Sequence, residues 1–393
     1  MSIPCGDAVD GEKLKIATAK VLVPLIVAPI ISTNNNNDKG APAKTTNTND
    51  NTRPWYVRGG MHVNEVGMGL NVMVAPIYLA FSASGHWSTT TSWYHPSMTP
   101  VQTFAFLWIV QVILSLIEGK RTVFCVAAVT CYVTSLLVIP ATLSQSFIIP
   151  SILLSVFIAI WRVGICMSVC LHRYAAHAGF KCNPSTRLVL NILGCAANQG
   201  GPIWWSSQHR CHHKHCDDVR DPHSAIVDGV ENAFAFFSTG HATVEEEFAP
   251  KHNDTYLLRL LDTWSFAVCS LEQLVSYTLF GREGLFVTYT SMWICQTITL
   301  WFNIANHPPD AHPGKVCQAT NYRGKPTGYY PAFWLLDALY PLFGVLVSEK
   351  NHDDHHVHFM LAKRETYDCM YYAFVWPLEK MGLVWDVKSC IPE

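Results

Sequence analysis

The chain has 393 residues, of which 50% are hydrophobic and 14% are charged, and its formal net charge is −2 at pH 7. A soluble domain usually carries about 25% charged residues. The apolar residues here come in runs of about twenty, which is the length that a bilayer requires. The composition therefore indicates an integral membrane protein, and a net charge near zero implies no nucleic-acid partner.

Residues 1–60 are interpreted as an N-terminal extension. Its apolar stretch 17–32 contains Pro24 and Pro29, and we expect it to be an interfacial or flexible segment. A cleaved signal-peptide core is the alternative. Residues 33–52 are rich in Asn, Thr and Asp, which predicts a disordered linker.

Longer apolar segments predict the membrane topology. Residues 61–121 are assigned to an extra transmembrane hairpin and residues 122–393 to a core membrane domain. The shorter apolar stretches 188–197 and 332–347 are expected to lie on the membrane or in a cytosolic cap. The six candidate spans are 66–84, 101–118, 122–140, 147–170, 264–281 and 284–305.

Loop charges predict the orientation of these spans. Arg53 precedes the first span, and Lys120 with Arg121 joins the second to the third, whereas loops 85–100 and 141–146 contain no Lys or Arg. Loops rich in Lys and Arg stay on the cytosolic side. The fourth span then ends in the cytosol, and every histidine-rich segment described next falls on that side.

Three histidine clusters and one asparagine–histidine pair lie at the ends of apolar segments or close to them. In a helix, residues three and four apart share a face, so each His-x-x-His-His group can aim at one point, as can the Asn–His pair. The first cluster spaces its histidines five apart, about 140° around a regular helix, so we expect each of these two to serve a different one of two neighbouring ions. Nine imidazoles suit two metal ions. The groups are His172-x-x-x-x-His177, His209-x-x-His212-His213, Asn303-x-x-x-His307 and His352-x-x-His355-His356.

Other metal chemistries fit the sequence less well. Structural zinc sites usually include cysteine, and no Cys/His finger spacing occurs around Cys211 and Cys216. A carboxylate di-iron site needs paired Glu-x-x-His motifs, and only Glu349-x-x-His352 occurs. The 14 cysteines include no Cys-x-x-Cys pair, which favours buried or reduced thiols over a disulfide framework. A metal transporter would place its ionisable residues near the middle of the spans, whereas these clusters lie at span ends.

The histidine boxes resemble those of the integral-membrane acyl-CoA desaturases of the stearoyl-CoA, Δ9 type. The resemblance covers roughly residues 145–390 and rests most specifically on the segments His209–Lys214, Asp221–Ser224 and Leu378–Asp386. It implies an all-α integral membrane protein. The expected fold is a transmembrane helix bundle with a four-helix core, here with an added N-terminal hairpin, and a cytosolic helical cap that carries a di-iron site.

The resemblance also implies the cofactor and the reaction. Two iron ions and O2 would remove two hydrogens from a saturated acyl chain and leave a cis double bond, with no catalytic residue beyond the metal ligands. One iron would take His172, His209, His212 and His352, with Asn303 holding a water. The other would take His177, His213, His307, His355 and His356.

In this family a Gln, a Trp and a Thr shape the bend of the substrate tunnel, and they fall here on Gln199, Trp205 and Thr299. The fourth span would form the wall at the far end of the tunnel. At about 1.5 Å per residue, Gly164 and Ile160 lie near the depth where the methyl end of a long chain should stop. The alternative for Gly164 is that it only permits close helix packing.

Several positions depart from the family pattern. Ser207 and Gln208 replace an Arg and an Asp that often lie near the CoA head group, so a glycerolipid acyl chain is the alternative to the expected acyl-CoA. His215, His223 and His358 are extra histidines that are assigned no iron. A hydroxylase on the same site is the alternative reaction.

The expected partners are a fatty acyl substrate, membrane lipid and an external electron donor, because no haem-binding or flavin-binding domain is visible. The donor would be cytochrome b5, or a ferredoxin with its reductase. His312-Pro-Gly-Lys resembles a haem motif too weakly to change this. The expected location is the endoplasmic reticulum membrane, with a plastid membrane as the alternative and the active site on the cytosolic side.

Overall fold

The computed structural model describes the second half of the chain and little before it. The predicted N-terminal extension and the predicted spans 66–84, 101–118 and 122–140 lie outside the described residues. These are 145–227, Gly229, Ala233, 244–322 and 334–389.

The described residues are almost entirely helical. Helix α1 continues directly into a long π-helix, and a short antiparallel β1–β2 pair, with Lys181 opposite Trp385, ties the end of that helix to the C-terminal region. Single turns of 3-10 helix occupy Glu246–Phe248 and Lys251–Asn253, and a second π-helix occupies Tyr371–Val375. In chain order the elements are α1 (Gln145–Trp161), the first π-helix (Arg162–Ala176), β1 (Lys181–Cys182), α2 (Pro184–Cys195), α3 (Pro202–His215), α4 (Tyr256–Thr263), α5 (Phe266–Asn306), α6 (Trp334–Leu346), α7 (His352–Val357), α8 (Trp376–Lys380) and β2 (Val384–Trp385).

Helix α1 has the sequence pattern of a helix packed within a membrane. Ser151, Ser155 and Ala159 follow one another at four-residue intervals and are buried, whereas large residues such as Phe147 and Phe157 are exposed. Small residues allow helices to approach closely in lipid. By length and composition, Ser146–Ala176 is the one helix of the described residues that could cross a membrane.

Helix α5 is a helical hairpin that contains both later predicted spans. Its backbone leaves the helical conformation at Gly281, where φ is 64°, a value that favours glycine. Beyond that point the chain runs back along itself. The hydroxyl of Thr288 donates to that of Ser276 at 2.8 Å, and the Gln273 amide donates to the Met292 sulfur at 3.5 Å. The predicted break between spans 264–281 and 284–305 therefore matches the observed turn.

A buried ionic group joins the π-helix to both arms of this hairpin. Arg162 is fully buried and forms an ion pair with Glu272 on the first arm. Its Nε donates to the hydroxyl of Ser291 on the second arm at 3.0 Å, and its Nη1 donates to the carbonyl of Ala196 at 2.5 Å. Because a lone charge in an apolar interior is costly, these bonds require the three segments to be in register.

Candidate metal centre

The structure brings the nine predicted histidines together in two adjoining groups. Within each group the ring nitrogens lie within 4.8 Å of one another. The rings of His213 and His356 stack across the boundary with centroids 4.3 Å apart. The five-histidine group is His172, His177, His209, His213 and His355, and the four-histidine group is His212, His307, His352 and His356.

The π-helix places His172 and His177 in the same group, so our expectation that they would serve different ions is wrong. That expectation assumed a regular α-helix. In a π-helix the hydrogen bonds join residues five apart, and the amide of His177 indeed donates to the carbonyl of His172 at 3.1 Å. The two side chains therefore share a face, and their ring centroids lie 5.0 Å apart.

Helices α3 and α7 each contribute histidines to both groups, and the position of a histidine along the helix decides which group it joins. On α3, His209 and His213 are four residues apart and both belong to the five-histidine group, whereas His212 points to the other group. On α7, His352 and His356 pair in the four-histidine group, and His355 belongs to the other. The ligand partition implied by the family resemblance is therefore not the one that this geometry gives.

The spacing of the ring nitrogens fits metal coordination. An imidazole nitrogen lies about 2.1 Å from a first-row ion, so two ligands at a right angle lie about 3 Å apart and two opposite ligands about 4.2 Å apart. Nε2 of His355 lies 2.9 Å from that of His172 and 3.0 Å from that of His213. The Nε2 atoms of His209 and His213 are 3.1 Å apart. These values match neighbouring corners of an octahedron.

The four-histidine group has the same spacing. Nε2 of His352 lies 2.9 Å from that of His307 and 3.1 Å from that of His356. Nε2 of His212 is buried and has no hydrogen-bond partner among the described residues. A buried polar atom without a partner is costly, and a bound ion would satisfy it. The residues present therefore fit a metal in each group, and an all-imidazole donor set suits iron as well as zinc or copper.

The environment keeps most of these imidazoles neutral, as ligands must be. Burial, reinforced by neighbouring histidines, holds the pKa of His209, His213 and His352 well below the usual range. His212 differs. Burial lowers its pKa, but the Asp221 carboxylate outweighs that effect and the net pKa is raised.

Three buried carboxylates, which the sequence analysis did not assign to the site, orient the histidines. Nδ1 of His212 donates to Asp221 and Nδ1 of His307 donates to Asp217, both at 2.8 Å. Nδ1 of His172 lies 3.3 Å from Glu349. Carboxylates in these positions fix the ring tautomer, so that Nε2 faces the metal. Burial raises the pKa of Glu349, but the nearby cations, above all Arg364, outweigh it and the net pKa is lowered.

Asn303 lies beside the two groups and contacts a histidine that received no role from the sequence. Its Nδ2 donates to Nδ1 of His223 at 2.9 Å. The His223 ring stacks on His212 with centroids 4.6 Å apart. The Asn303 amide is therefore held next to the four-histidine group.

The three predicted tunnel residues form one hydrogen-bonded chain. Nε1 of Trp205 donates to Oε1 of Gln199 at 3.0 Å, and Nε2 of Gln199 donates to the hydroxyl of Thr299 at 2.7 Å. Trp205 also stacks on His209 with centroids 4.9 Å apart. A small cavity of about 60 Å³ opens here, lined by Trp205, Thr299, Asn303 and other residues.

Gly164 and Ile160 lie one helical turn apart on the first π-helix and α1. Ile160 is partly buried against the main core. Gly164 faces Met370: a Cβ on Gly164 would lie 2.2 Å from the Met370 sulfur. The absence of a side chain at Gly164 thus gives room to Met370.

The N-terminus of α3 is anchored by a buried carboxylate. Oδ1 of Asp262 accepts from the amides of Ile203 at 2.7 Å and Trp204 at 2.9 Å. Burial raises the pKa of Asp262 to about 6, although these two bonds oppose the shift. Gly201 is required here, because a Cβ would lie 2.1 Å from that Oδ1 and 2.6 Å from the Asp262 Cα.

Cys216 and Cys317 form a disulfide, so the expectation of reduced thiols is wrong for this pair. It joins the end of α3 to the loop after α5. Within the part of the chain that the structure describes, the other cysteines are free thiols: Cys166, Cys170, Cys182, Cys195, Cys211, Cys269, Cys295 and Cys369.

Comparison with known proteins gives an acetylenase and several desaturases as relatives, although no family model matches the chain. The chain is 27% identical to the hex-5-enoyl-[acyl-carrier protein] acetylenase of Moorena producens over 269 residues, which is 61% of this chain and 78% of that protein. A probable chloroplastic lipid desaturase of Arabidopsis thaliana is 44% identical over 61 residues, 16% of this chain and 17% of the relative. Acyl-CoA desaturase 1 of Saccharomyces cerevisiae is 36% identical over 62 residues, 16% of this chain and 12% of the relative.

The fold and the site define a helical protein with a long apolar helix and a histidine-rich centre suited to metal. The relatives make this description more specific: the chain is similar to fatty acid desaturases and to an acetylenase, which act on fatty acyl chains.

Proposed function

We propose that the protein is an O2-dependent desaturase that places a cis double bond, at the Δ9 position, in the saturated chain of an acyl-CoA. The observation that carries the proposal is the contact between the histidine groups and the chain Trp205–Gln199–Thr299, made through the stacking of Trp205 on His209. This arrangement supports oxidation of a substrate carbon held beside a metal centre.

Two iron ions are the cofactors in this proposal. The five-histidine group would hold one ion, and the four-histidine group, with Asn303 beside it, would hold the other. When bound, the irons supply the activation of O2 and the removal of hydrogen from an unactivated C–H bond, which side chains alone cannot do.

The protein's own groups prepare this site. Asp217, Asp221 and Glu349 hold three rings in the orientation that a ligand needs. Gln199 hydrogen-bonds both the Trp205 indole and the Thr299 hydroxyl. These bonds restrict the rotation of the side chains that would form the walls of the bend. A substrate that is held in one conformation reacts at one position along its chain.

The carrier has one alternative. Ser207 is buried, its hydroxyl donates to the Trp204 carbonyl at 2.8 Å, and it accepts the Glu245 amide at 3.1 Å. Ser207 and Gln208 present no cation to the phosphates of CoA, so a glycerolipid carrier is the alternative to the proposed acyl-CoA. Assays with purified protein and either stearoyl-CoA or a stearoyl phospholipid would distinguish the two carriers.

The membrane arrangement is part of the proposal. We infer six spans, with an N-terminal hairpin added to a four-helix core, in the endoplasmic reticulum membrane and with the histidine groups facing the cytosol. An external donor, cytochrome b5 or a ferredoxin, supplies the electrons. A tag in loop 85–100 should then be lumenal and a tag at Glu393 cytosolic, and finding both on one side would overturn the six-span model.

Expression in yeast cells that lack their own Δ9 desaturase tests the reaction. The unmodified chain should yield monounsaturated acyl chains, located by mass spectrometry of their dimethyl disulfide adducts. His355→Ala should yield none, whereas His358→Ala, an exposed histidine three residues further on, should match the unmodified chain. A hydroxylated product would favour the hydroxylase, and activity in His355→Ala would remove that residue from the site.

A further inference from the structure

A second and larger cavity reaches the histidines from solvent. Its volume is about 660 Å³, and its walls include His177 and His213 of the five-histidine group and His356 of the four-histidine group. Both His213 and His356 are partly exposed. We call this cavity the solvent opening. At this opening a molecule outside can reach histidines of both groups.

The rim of the solvent opening is cationic. Its basic lining residues Arg210, Lys214 and Lys251, which we call the rim, form no ion pair within the described residues. Two acidic side chains on the same stretch of chain have partners of their own. These pairs are Glu246 with Arg259 and Glu247 with Arg220.

Exposed apolar side chains line the same opening. Phe359 is 42% exposed and Met360 is 40% exposed, and both line the opening. The Phe359 ring also touches the histidines beneath it, with centroids 5.4 Å from His177 and 5.8 Å from His213. Aromatic residues, Met and Arg are enriched at protein interfaces.

The solvent opening is separate from the tunnel residues. It shares no lining residue with the small cavity at Trp205, Thr299 and Asn303. A substrate that occupies the bend at Trp205 therefore leaves this opening accessible. An occupant of the solvent opening would reach the histidine groups through His177, His213 and His356.

Resting on the proposed function, we propose that the solvent opening is the docking site of an acidic one-electron carrier protein, which contacts the exposed Phe359 ring. Desaturation converts one CH2–CH2 unit, O2, two protons and two electrons into one CH=CH unit and two molecules of water. Two successive dockings of a reduced carrier deliver the two electrons. Opposite charges on the partner and the rim accelerate encounter and are screened by salt.

The test compares charge reversals on the rim with one elsewhere. The variants are Lys214→Glu, Lys251→Glu and the two combined, and the control is Lys380→Glu, an exposed lysine on α8 that does not line the opening. The probe is the reduced soluble haem domain of cytochrome b5, an acidic protein. Stopped-flow absorbance follows its oxidation by the full-length, iron-loaded protein, and its binding to the same chain without added iron is measured separately.

We expect the double variant to slow haem oxidation and to weaken binding by at least tenfold at low salt, with the difference lost at about 0.5 M salt. Lys380→Glu should match the unmodified protein. Photoreduced deazaflavin, a small neutral donor, should reduce all variants equally.

Equal rates and equal binding for the double variant and the control at low salt would overturn the proposal. So would a change confined to the KM for the acyl substrate in reactions driven by deazaflavin, because the opening would then be a carrier site. Product formation with deazaflavin reports on the proposed function by itself. Its absence in the unmodified protein would refute that function, and the binding measurement would still decide whether the carrier docks here.

Discussion

Asp221 and Asp217 provide a sharp test of the candidate metal centre, because the same substitution should affect them unequally. Oδ2 of Asp221 accepts from His212 and from the Asp217 amide, and Oδ1 accepts from the His223 amide. Either orientation of an asparagine amide at position 221 would therefore place its NH2 group against an N–H donor.

Asparagine at position 217 meets a different environment. Oδ2 of Asp217 accepts from His307 and the Gln318 amide, but Oδ1 accepts only from the Ser224 hydroxyl among the bonds described. A hydroxyl can accept as well as donate. The amide NH2 of Asp217→Asn can therefore turn toward Ser224, where it competes only with the long bonds from the amides of Ile226 at 3.2 Å and Val227 at 3.3 Å, and the bond to His307 is kept.

The magnitudes follow from these bonds. Loss of a carboxylate that supports a histidine ligand typically weakens metal binding about 10–100-fold, or about 1.4–2.7 kcal/mol. We expect that range for Asp221→Asn, together with about 1 kcal/mol or more of lost stability from the opposed donors. For Asp217→Asn we expect less than about tenfold. Asp218, an exposed neighbour, should show no effect in Asp218→Asn.

Iron content after equilibration with chelators of graded strength measures these changes. The unmodified protein should hold about two irons per chain with little zinc, and Asp221→Asn should lose one iron at a weaker chelator than Asp217→Asn does. Iron retention by Asp221→Asn equal to that of Asp218→Asn would refute the role given to this carboxylate. The reverse order of the two variants would refute the hydrogen-bond argument.

Three further outcomes are expected. Asp262→Asn should stabilise the protein more at pH 8 than at pH 5. The pKa of Asp262 in the folded protein, about 6, lies above the usual 3.8, so the contribution of this carboxyl to stability is lost as the pH rises through 6, by at most about 3 kcal/mol. Equal shifts in melting temperature at both pH values would contradict this. Gly201→Ala should lower the melting temperature, because its Cβ would overlap the Asp262 backbone, at a cost of about 1–3 kcal/mol; an unchanged melting temperature would show that α3 can move aside. Gly164→Phe, tested with Met370→Ala to provide room, should block C18 chains and spare C14 chains with the double bond unmoved, whereas an unchanged product ratio would show that Gly164 does not face the tunnel.

The sequence indicated which histidines would meet, but it could not show how they would divide. Helical spacing correctly predicts that four-residue neighbours converge, as His209 and His213 do, but it fails for the three-residue neighbour His212, which belongs to the other group. It fails at His172 and His177, because spacing alone does not distinguish an α-helix from a π-helix. The same limit applies to Arg162 and Glu272, whose ion pair joins segments 110 positions apart.

The carboxylates were missed for a related reason. In the sequence, Glu349 stands out only as part of an incomplete Glu-x-x-His motif. Asp217 and Asp221 lie in a loop, and the periodicity of the sequence does not predict the path of a loop. A signal was available in the segment Cys216–Ser224, where acidic residues directly follow a histidine box. Buried imidazoles need acceptors for their second N–H group, and these were the nearest candidates in the sequence.

The π-helix determines how the segment between His172 and His177 should respond to the deletion or insertion of one residue. A five-residue interval between His172 and His177 converges only while the backbone keeps its wider turn, so the interval and the winding form a matched pair. Deletion of one residue between them would leave an interval of four, which a narrower α-helix would again align on one face. A one-residue insertion offers no such compensation, since neither winding aligns residues six apart. The first histidine box should therefore tolerate shortening better than lengthening, an asymmetry that a helix of uniform α geometry would not have.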